Sequence, residues 1–200
     1  RTYLPQGRTL GGSSSINGLL YVRGQHEDYD RWRQRGNAGW GYDDVLPYFK
    51  KAENQQRGAD KYHGAGGPLP VSDWRHDDPL SEAFVKAAVQ AGLPFNPHFN
   101  GETQEGAGFF QTTTRRGRRA SSAFSYLRPA RNRANLSIET DAQAQRIHFE
   151  GRQARAVEYK QRGQLRRILA EQPGYLGFVL SAIVWNFALQ IAGPFFNVYL

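Results

Sequence analysis

A glycine- and serine-rich stretch near the start of the chain constrains the fold more than any other segment. Two adjacent glycines, Gly11 and Gly12, are followed by three serines. Glycine lets a backbone approach a ligand where a Cβ atom would collide, and successive N–H groups in such a turn suit an anion, above all a phosphate. An apolar segment with Ile16 and residues 19–22 follows, which favours a loop held by a buried segment over a flexible linker. Asn17 lies between apolar neighbours, and a buried Asn needs partners such as a polar ligand.

The spacing of residues in this region resembles the signature of a known family. The pattern consists of Gly7, Arg8, Leu10, Gly11, Gly12, Ser13, Ser14, Ile16, Asn17, Tyr21, Gly24 and Asp30. It resembles the first signature of the glucose–methanol–choline (GMC) oxidoreductases, flavoenzymes that oxidise alcohols. So many positions at fixed spacing are more specific than a lone glycine motif. The resemblance continues past Pro129, fades near Ala170, and is strongest to the choline-dehydrogenase-like branch.

The resemblance implies a set of residues that contact FAD. The set comprises Gly12, Ser13, Asn17, Gly18, Leu19, Leu20 and Ala144. Ser13 is expected against the phosphate or ribityl part, and residues 17–20 beside the flavin ring. Ala144 stands where relatives often carry a Val that contacts the adenine. Because Ile16 stands where some relatives carry a His linked to the flavin, the FAD is expected to be non-covalent.

Two parts of the family pattern are not found among the 200 residues. The first is the G-x-G-x-x-G phosphate-binding turn, which the family places before the position of Arg1. The second is the catalytic His with its His or Asn partner, which the family places far downstream. The resemblance therefore implies a truncated, inactive chain that binds FAD weakly. We assign no catalytic residue and no metal site, and expect surface or loop positions for His26, His63, His76, His98 and His148.

Composition excludes several other classes of function. The absence of cysteine removes disulfides, Cys-based zinc sites and thiol nucleophiles, and is typical of a reducing compartment. The net charge of +8 raises the possibility of nucleic-acid binding. However, the arginines between Arg115 and Arg167 lie among polar and small residues without a recognisable binding module, so we expect a solvated surface and no nucleic-acid partner.

The final segment has a different composition. Residues 172–200 contain no charged side chain, and residues 175–196 are long enough to cross a bilayer as a helix. The arginines at 162, 166 and 167 would hold the preceding flank in the cytoplasm. This predicts a cytoplasmic location or one at the cytoplasmic face of a membrane. The alternative is a buried helix of a soluble protein. Residues 185–197 also resemble, more weakly, a span of a major-facilitator transporter.

Two functions remain open at this stage. The first is a portion of an FAD-dependent enzyme acting on the CH–OH group of a small-molecule alcohol, with the family region at residues 1–170 and an apolar helix at 171–200. The second is a membrane or transport protein with an incidental soluble segment. A junction of two unrelated gene pieces near Ala170 would explain the abrupt change in composition. The family region covers far more of the chain, so the first is favoured.

The chain is predicted to have an α+β fold: part of an FAD-binding domain, part of an antiparallel-sheet substrate domain, and one long apolar helix. Periodicity and capping residues predict the elements. Helices are expected over 28–34, 43–55, 79–91 and 121–133, the last of them disturbed at Pro129, and strands over 109–114, 136–140, 144–149 and 154–161. Residues 57–70 are expected to form an exposed loop. Packed faces are expected at Tyr48, Phe49 and Ala52, and at Leu80, Phe84, Ala87, Ala88 and Ala91.

Overall fold

A computed structural model describes residues 5–75 and 78–169 of the chain. These residues mix helices and strands, as predicted, and fall into two compact units that divide between Arg131 and Asn132. Residues 171–200, for which the sequence predicts a membrane-crossing helix, lie outside the described residues. Across 5–75 and 78–169, no helix is both long and apolar enough to span a bilayer.

Four α-helices lie in the first unit, and side-chain caps define where two of them begin. The helices are α1 (His26–Gln34), α2 (Tyr42–Ala52), α3 (Pro79–Gln90) and α4 (Arg128–Ala130). Asp78 caps α3, because its carboxylate accepts the backbone N–H groups of Leu80 and Ser81. At α2, the Asp44 carboxylate accepts the N–H of Gly41 at 3.0 Å. The starts of α2 and α3 agree with the predicted starts to within two residues.

The strands of the first unit are short and were mostly missed by the sequence analysis. They are β1 (Glu53–Gln55), β2 (Leu69–Val71), β3 (Thr114–Arg115) and β4 (Arg118–Arg119). β1 pairs with β2 in parallel and β3 with β4 antiparallel. Helix α2 therefore ends at Ala52 rather than near 55, because the next three residues form β1 and pair with β2. The predicted strand over 109–114 is replaced by isolated bridges at Thr112, to Leu20 and Ser72.

The described residues of the second unit, 132–169, contain a three-stranded antiparallel sheet. Its strands are β5 (Ala142–Glu150), β6 (Gln153–Gln161) and β7 (Gln164–Leu169), in the order β5-β6-β7. The turn at Gly151 and the two strands on either side of it are confirmed. Residues 136–140, predicted as a strand, pair with no strand in this described part. Strand β7 was not predicted; its sequence alternates only weakly between apolar and charged residues.

A buried polar network lies at the centre of the first unit. The Arg23 guanidinium approaches the Glu53 carboxylate at 2.6 Å, and both side chains are almost inaccessible to water. Arg23 also donates to the carbonyl of Tyr62, and Glu53 accepts the N–H of Gly64. The predicted exposed loop over 57–70 is therefore wrong in part, since its residues 63 and 64 are buried against this pair.

The apolar faces predicted for α2 and α3 are largely uncovered by the described residues. Leu80 and Phe84 share one face of α3 but are 78% and 76% exposed, and Tyr48 of α2 is 72% exposed. Phe49 is half-buried, with its ring 5.1 Å from the Arg23 guanidinium. The face predicted on α3 is present in the helix, but the expectation that it is packed is wrong for the described residues.

Removing one partner of the Arg23–Glu53 pair tests whether the network holds the first unit together. Glu53→Ala leaves the Arg23 charge buried without its carboxylate, so we expect the free energy of unfolding to fall by about 3–5 kcal/mol. Urea denaturation measures this change. Glu82→Ala is the control, because its exposed pair with Lys86 at 3.5 Å contributes only about 0.3–0.5 kcal/mol. Equal losses in the two variants would contradict the assigned role.

Candidate functional site

The glycine-rich loop is a tight turn whose backbone only glycine adopts readily. Gly11 and Gly12 have φ angles of 89° and 54°, in the left-handed region that disfavours other residues. A 3-10 helix (Gly12–Ser15) follows. The turn folds back closely on the preceding chain. The two segments are so near each other that a Cβ on Gly7 would lie 2.3 Å from the carbonyl oxygen of Gly12. The predicted bend therefore exists.

Serine side chains hold the outside of this turn. The Ser122 N–H donates to Ser14 Oγ at 2.9 Å, and Ser122 Oγ donates to the Gly11 carbonyl at 3.0 Å. Ser13 Oγ accepts the N–H of Gly7 at 3.3 Å. These contacts connect the loop to the irregular helix Ala123–Leu127, more than 100 residues further along the chain. Its shape is therefore fixed by tertiary contacts, unlike that of a linker.

Arg119 is the side chain that ties the loop down most extensively. Its Nη1 donates to the carbonyl of Ser14 at 3.2 Å, to that of Asn17 at 2.7 Å, and to Asn17 Oδ1 at 2.8 Å. Arg119 was expected to belong to a solvated arginine surface, and that expectation is wrong for this residue. No sequence signal separates it from Arg118, since the two differ only in which side of a two-residue strand they occupy.

The segment after the loop runs along residues 111–113. The Thr113 N–H donates to the Leu19 carbonyl, and the Tyr21 N–H to the Gln111 carbonyl, both at 2.9 Å. Leu19 has a φ of 69°, an unfavourable value for a non-glycine residue and one often found at functional sites. Its N–H donates to Asn17 Oδ1 at 3.2 Å. Gly18, beside it, has open space where a Cβ would lie.

Part of the segment is more exposed than its apolar sequence predicts. Ile16 and Leu20 are 51% and 56% exposed, and Asn17 is exposed, although Arg119 binds its amide oxygen. Backbone pairing with residues 111–113 explains this, because it holds one edge of the segment and leaves the Leu20 side chain facing outward. The result is an exposed apolar strip beside a glycine turn.

Six of the predicted cofactor-contacting residues lie together on this continuous stretch. They are Gly12 and Ser13 in the 3-10 helix and Asn17, Gly18, Leu19 and Leu20 in the segment after it. Ala144 lies in the second unit, on β5 opposite Tyr159 of β6. The strand around Ala144 was predicted correctly to within two residues.

Tyr21 anchors the end of the segment and remains protonated. Burial raises the pKa of its hydroxyl, and this outweighs the lowering effect of Arg23 nearby. Arg23 Nε donates to the Tyr21 hydroxyl at 3.4 Å. The backbone of the segment is held on both sides here, since Asn100 donates to the Tyr21 carbonyl and accepts the N–H of Arg23. The stretch is thus joined directly to the buried polar network.

Most of the described histidines agree with the expected surface or loop positions. His98 in a loop, His26 at the start of helix α1 and His148 on strand β5 are all partly exposed. His63 lies in a loop but is fully buried, which the sequence does not predict. His76 lies outside the described residues.

Comparison with known families and proteins gives a consistent result. The family described as GMC oxidoreductase matches residues 1–176. The mitochondrial choline dehydrogenase of Homo sapiens is 46% identical over 170 residues, which are 85% of this chain and 29% of that protein. An alcohol dehydrogenase [acceptor] of Pseudomonas putida is 42% identical over 192 residues, 96% of this chain and 35% of that protein. The second alignment therefore extends beyond residue 170.

Solved structures resemble the chain over most of its length. Pyridoxine 4-oxidase from "Mesorbium loti" superposes with a TM-score of 0.77 at 35% identity, covering 84% of this chain and 33% of that one. An FAD-dependent oxidoreductase from Chaetomium thermophilum gives a TM-score of 0.76 at 26% identity, covering 84% and 32%. The chain thus spans about a third of the length of the relatives that it matches.

Substituting Arg119 tests its hold on the loop. Arg119→Ala removes three hydrogen bonds to Ser14 and Asn17, so we expect the amides of residues 12–17 to exchange with solvent at least about tenfold faster. Hydrogen exchange read by mass spectrometry measures this. Arg118→Ala is the matched control, since this exposed neighbour makes no side-chain contact to the loop among the described residues. If both variants left the exchange of the loop unchanged, Arg119 would not be its anchor.

Proposed function

Because this chain belongs to the GMC oxidoreductase family, we propose that it forms the flavin-contacting part of an enzyme that oxidises the CH–OH group of a small alcohol. The observation that carries this proposal is the folded loop at Gly11–Gly12, with its left-handed backbone, fixed where the family signature predicts it. The family match over residues 1–176 supports this oxidoreductase function over a transport protein with an incidental soluble segment.

FAD is the cofactor that the family and its flavoprotein neighbours imply, and the residues present fit it. Gly12 has a left-handed backbone without a Cβ in the turn, and Gly18 has free space where a side chain would lie. The strip formed by Ile16 and Leu20 offers apolar surface for a ring. When bound, FAD supplies the redox chemistry, while the protein binds and orients it.

Each residue of the stretch has a proposed part in holding the cofactor. Ser13 lies against the phosphate or ribityl portion, and residues 17–20 lie along the flavin ring, mostly through backbone groups. Arg119 positions these groups by fixing the carbonyls of Ser14 and Asn17. Ala144 contacts the adenine through its backbone. Ile16 provides no nucleophile for a covalent bond, so the FAD is held non-covalently.

The proposed substrate is a small alcohol of the kind named in the relatives. One of them is a choline dehydrogenase and another an alcohol dehydrogenase that passes electrons to an acceptor. We assign no residue of the described chain to proton transfer from the alcohol.

A chimera tests the proposal directly. We would replace the matching region of the Pseudomonas putida enzyme with the 192 residues of this chain that align with it, and measure bound flavin and alcohol-dependent reduction of a dye. We expect a yellow protein that oxidises alcohol and releases its FAD on denaturation.

Gly18→Val in the chimera fills the space beside the segment without a clash in the fold, so we expect FAD affinity to fall at least about tenfold, or 1.4 kcal/mol.

The control for that variant is a valine at an exposed position away from the loop. Ala87→Val lies on helix α3, where residue 87 is exposed, and its effect measures the cost of adding a valine side chain alone. A chimera that folds, as judged by circular dichroism, yet contains no flavin would contradict the proposal. So would equal FAD affinity in the chimeras with and without Gly18→Val.

For residues 171–200 we propose contact with a membrane, with the preceding part of the chain at its cytoplasmic face or in the cytoplasm. The support is the lack of any charged residue from 172 to 200, since such a stretch partitions into a bilayer more readily than a mixed one. The division of the chain into a family region, 1–170, and an apolar segment is part of the same proposal. The matches described above lend no support to the resemblance to a transporter span.

Partitioning between detergent and water tests the membrane contact. The full chain should enter the detergent phase of a cloud-point separation, whereas a shortened chain ending at Ala170 should stay in the aqueous phase. The shortened chain lacks the apolar segment, which is long enough to cross a bilayer as a helix. Identical partitioning of the two chains would remove the proposed contact and leave the flavin proposal unaffected.

A further inference from the structure

His63 is a fully buried histidine outside the glycine loop. Its Nδ1 lies 3.2 Å and 3.3 Å from the two carboxylate oxygens of Glu53. The ring of His98 stacks on it, with ring centroids 4.0 Å apart and planes inclined by 25°. Oε2 of Glu53 also accepts hydrogen bonds from Arg23 at 2.6 Å and from the N–H of Gly64 at 3.1 Å, so the carboxylate acts as an acceptor for all of its neighbours. Nδ1 of His63 is therefore the protonated nitrogen of its ring.

The second nitrogen of His63 has no partner. With the proton on Nδ1, Nε2 carries a free lone pair, and it is buried with no hydrogen-bond donor within reach among the described residues. Leaving a buried acceptor unpaired is unfavourable, and such groups are rare in folded proteins. A histidine that donates one N–H to a carboxylate and offers the other nitrogen is the usual arrangement of a metal ligand with its supporting carboxylate.

Two further ligand groups lie beside it. Asp60, His63 and His98 each offer a ligand atom, and these atoms all lie within 4.8 Å of one another. Oδ1 of Asp60 accepts the N–H groups of Tyr62 and His63, both at 2.7 Å, which fixes the carboxylate and leaves Oδ2 available. His98 is only partly buried, so its imidazole ring can turn towards an ion that the other two groups hold.

We propose that Asp60, His63 and His98 form a binding site for a transition-metal dication, with Zn²⁺ as the best match. Two imidazole nitrogens and one carboxylate oxygen are suitable zinc ligands, and water completes a tetrahedron. Ligand atoms of such a site lie about 3.3–3.5 Å apart, given metal–ligand bonds of about 2.0–2.1 Å. His63 is fixed by Glu53, so the two more exposed groups must adjust. His98 must tilt out of its stack on His63, because an imidazole binds a metal in its own ring plane, and Asp60 must close the remaining distance. This site is independent of the proposed flavin contacts.

Two conservative variants test the site in the full chain. His98→Phe keeps an aromatic ring against His63 but removes the ligand, and Asp60→Asn keeps an oxygen for the N–H groups of Tyr62 and His63. The metal-free protein would be titrated with Co²⁺, followed by visible absorption, and with Zn²⁺, followed by calorimetry. His148→Phe is the control, since His148 is paired with Glu158 at 3.2 Å in the second unit.

We expect one metal ion per chain, an intense Co²⁺ spectrum typical of four-coordinate geometry, and at least about tenfold weaker binding in both ligand variants. The control should bind as the unsubstituted chain does. The proposal is overturned if the unsubstituted chain shows no stoichiometric binding, or if His98→Phe and Asp60→Asn bind Zn²⁺ as tightly as His148→Phe. Because no flavin is present in these titrations, failure here leaves the flavin proposal standing.

Discussion

The buried ion pair between Arg23 and Glu53 connects the glycine loop to the rest of the first unit. Arg23 ends the segment that leaves the loop, and Glu53 begins β1, which pairs in parallel with β2. A buried pair adds little net stability, because desolvating two charges offsets most of their attraction. It does impose specificity, since any other placement of the segment would leave a charge buried without its partner. The position of residues 17–22 thus follows from electrostatics more than from apolar packing.

Apolar burial contributes little to the described residues of the first unit. Few large apolar side chains are fully buried, whereas Leu80 and Phe84 on α3 and Ile16 and Leu20 beside the loop are more than half exposed. Polar side chains occupy the interior instead: Gln55 and Gln111 exchange hydrogen bonds at 2.8 Å next to Glu53. A buried polar group without a partner is costly in such a network, which is why the unpaired Nε2 of His63 is informative.

Local chemistry made some of the structure predictable. The cap at Asp78 and the acidic first turn of α2 involve residues that are neighbours in sequence, so their signals survive without tertiary context. The glycine loop was also predictable, because left-handed backbone at adjacent positions requires glycine. Strands β1 and β2 were not, since their pairing depends on a contact across sixteen positions between Glu53 and Leu69. The role of Arg119 depends on contacts across more than a hundred positions, and no local pattern distinguishes it from Arg118.

The central claim is that residues 11–20 form a rigid, backbone-lined surface for a flavin ring. A crystal structure of the flavin-loaded chimera tests this most directly. We expect the flavin ring to lie within about 4 Å of the backbone of residues 17–20, in van der Waals contact, with Arg119 still hydrogen-bonded to the carbonyls of Ser14 and Asn17. A flavin bound elsewhere, with this segment turned away from it, would show that residues 11–20 do not form the flavin surface.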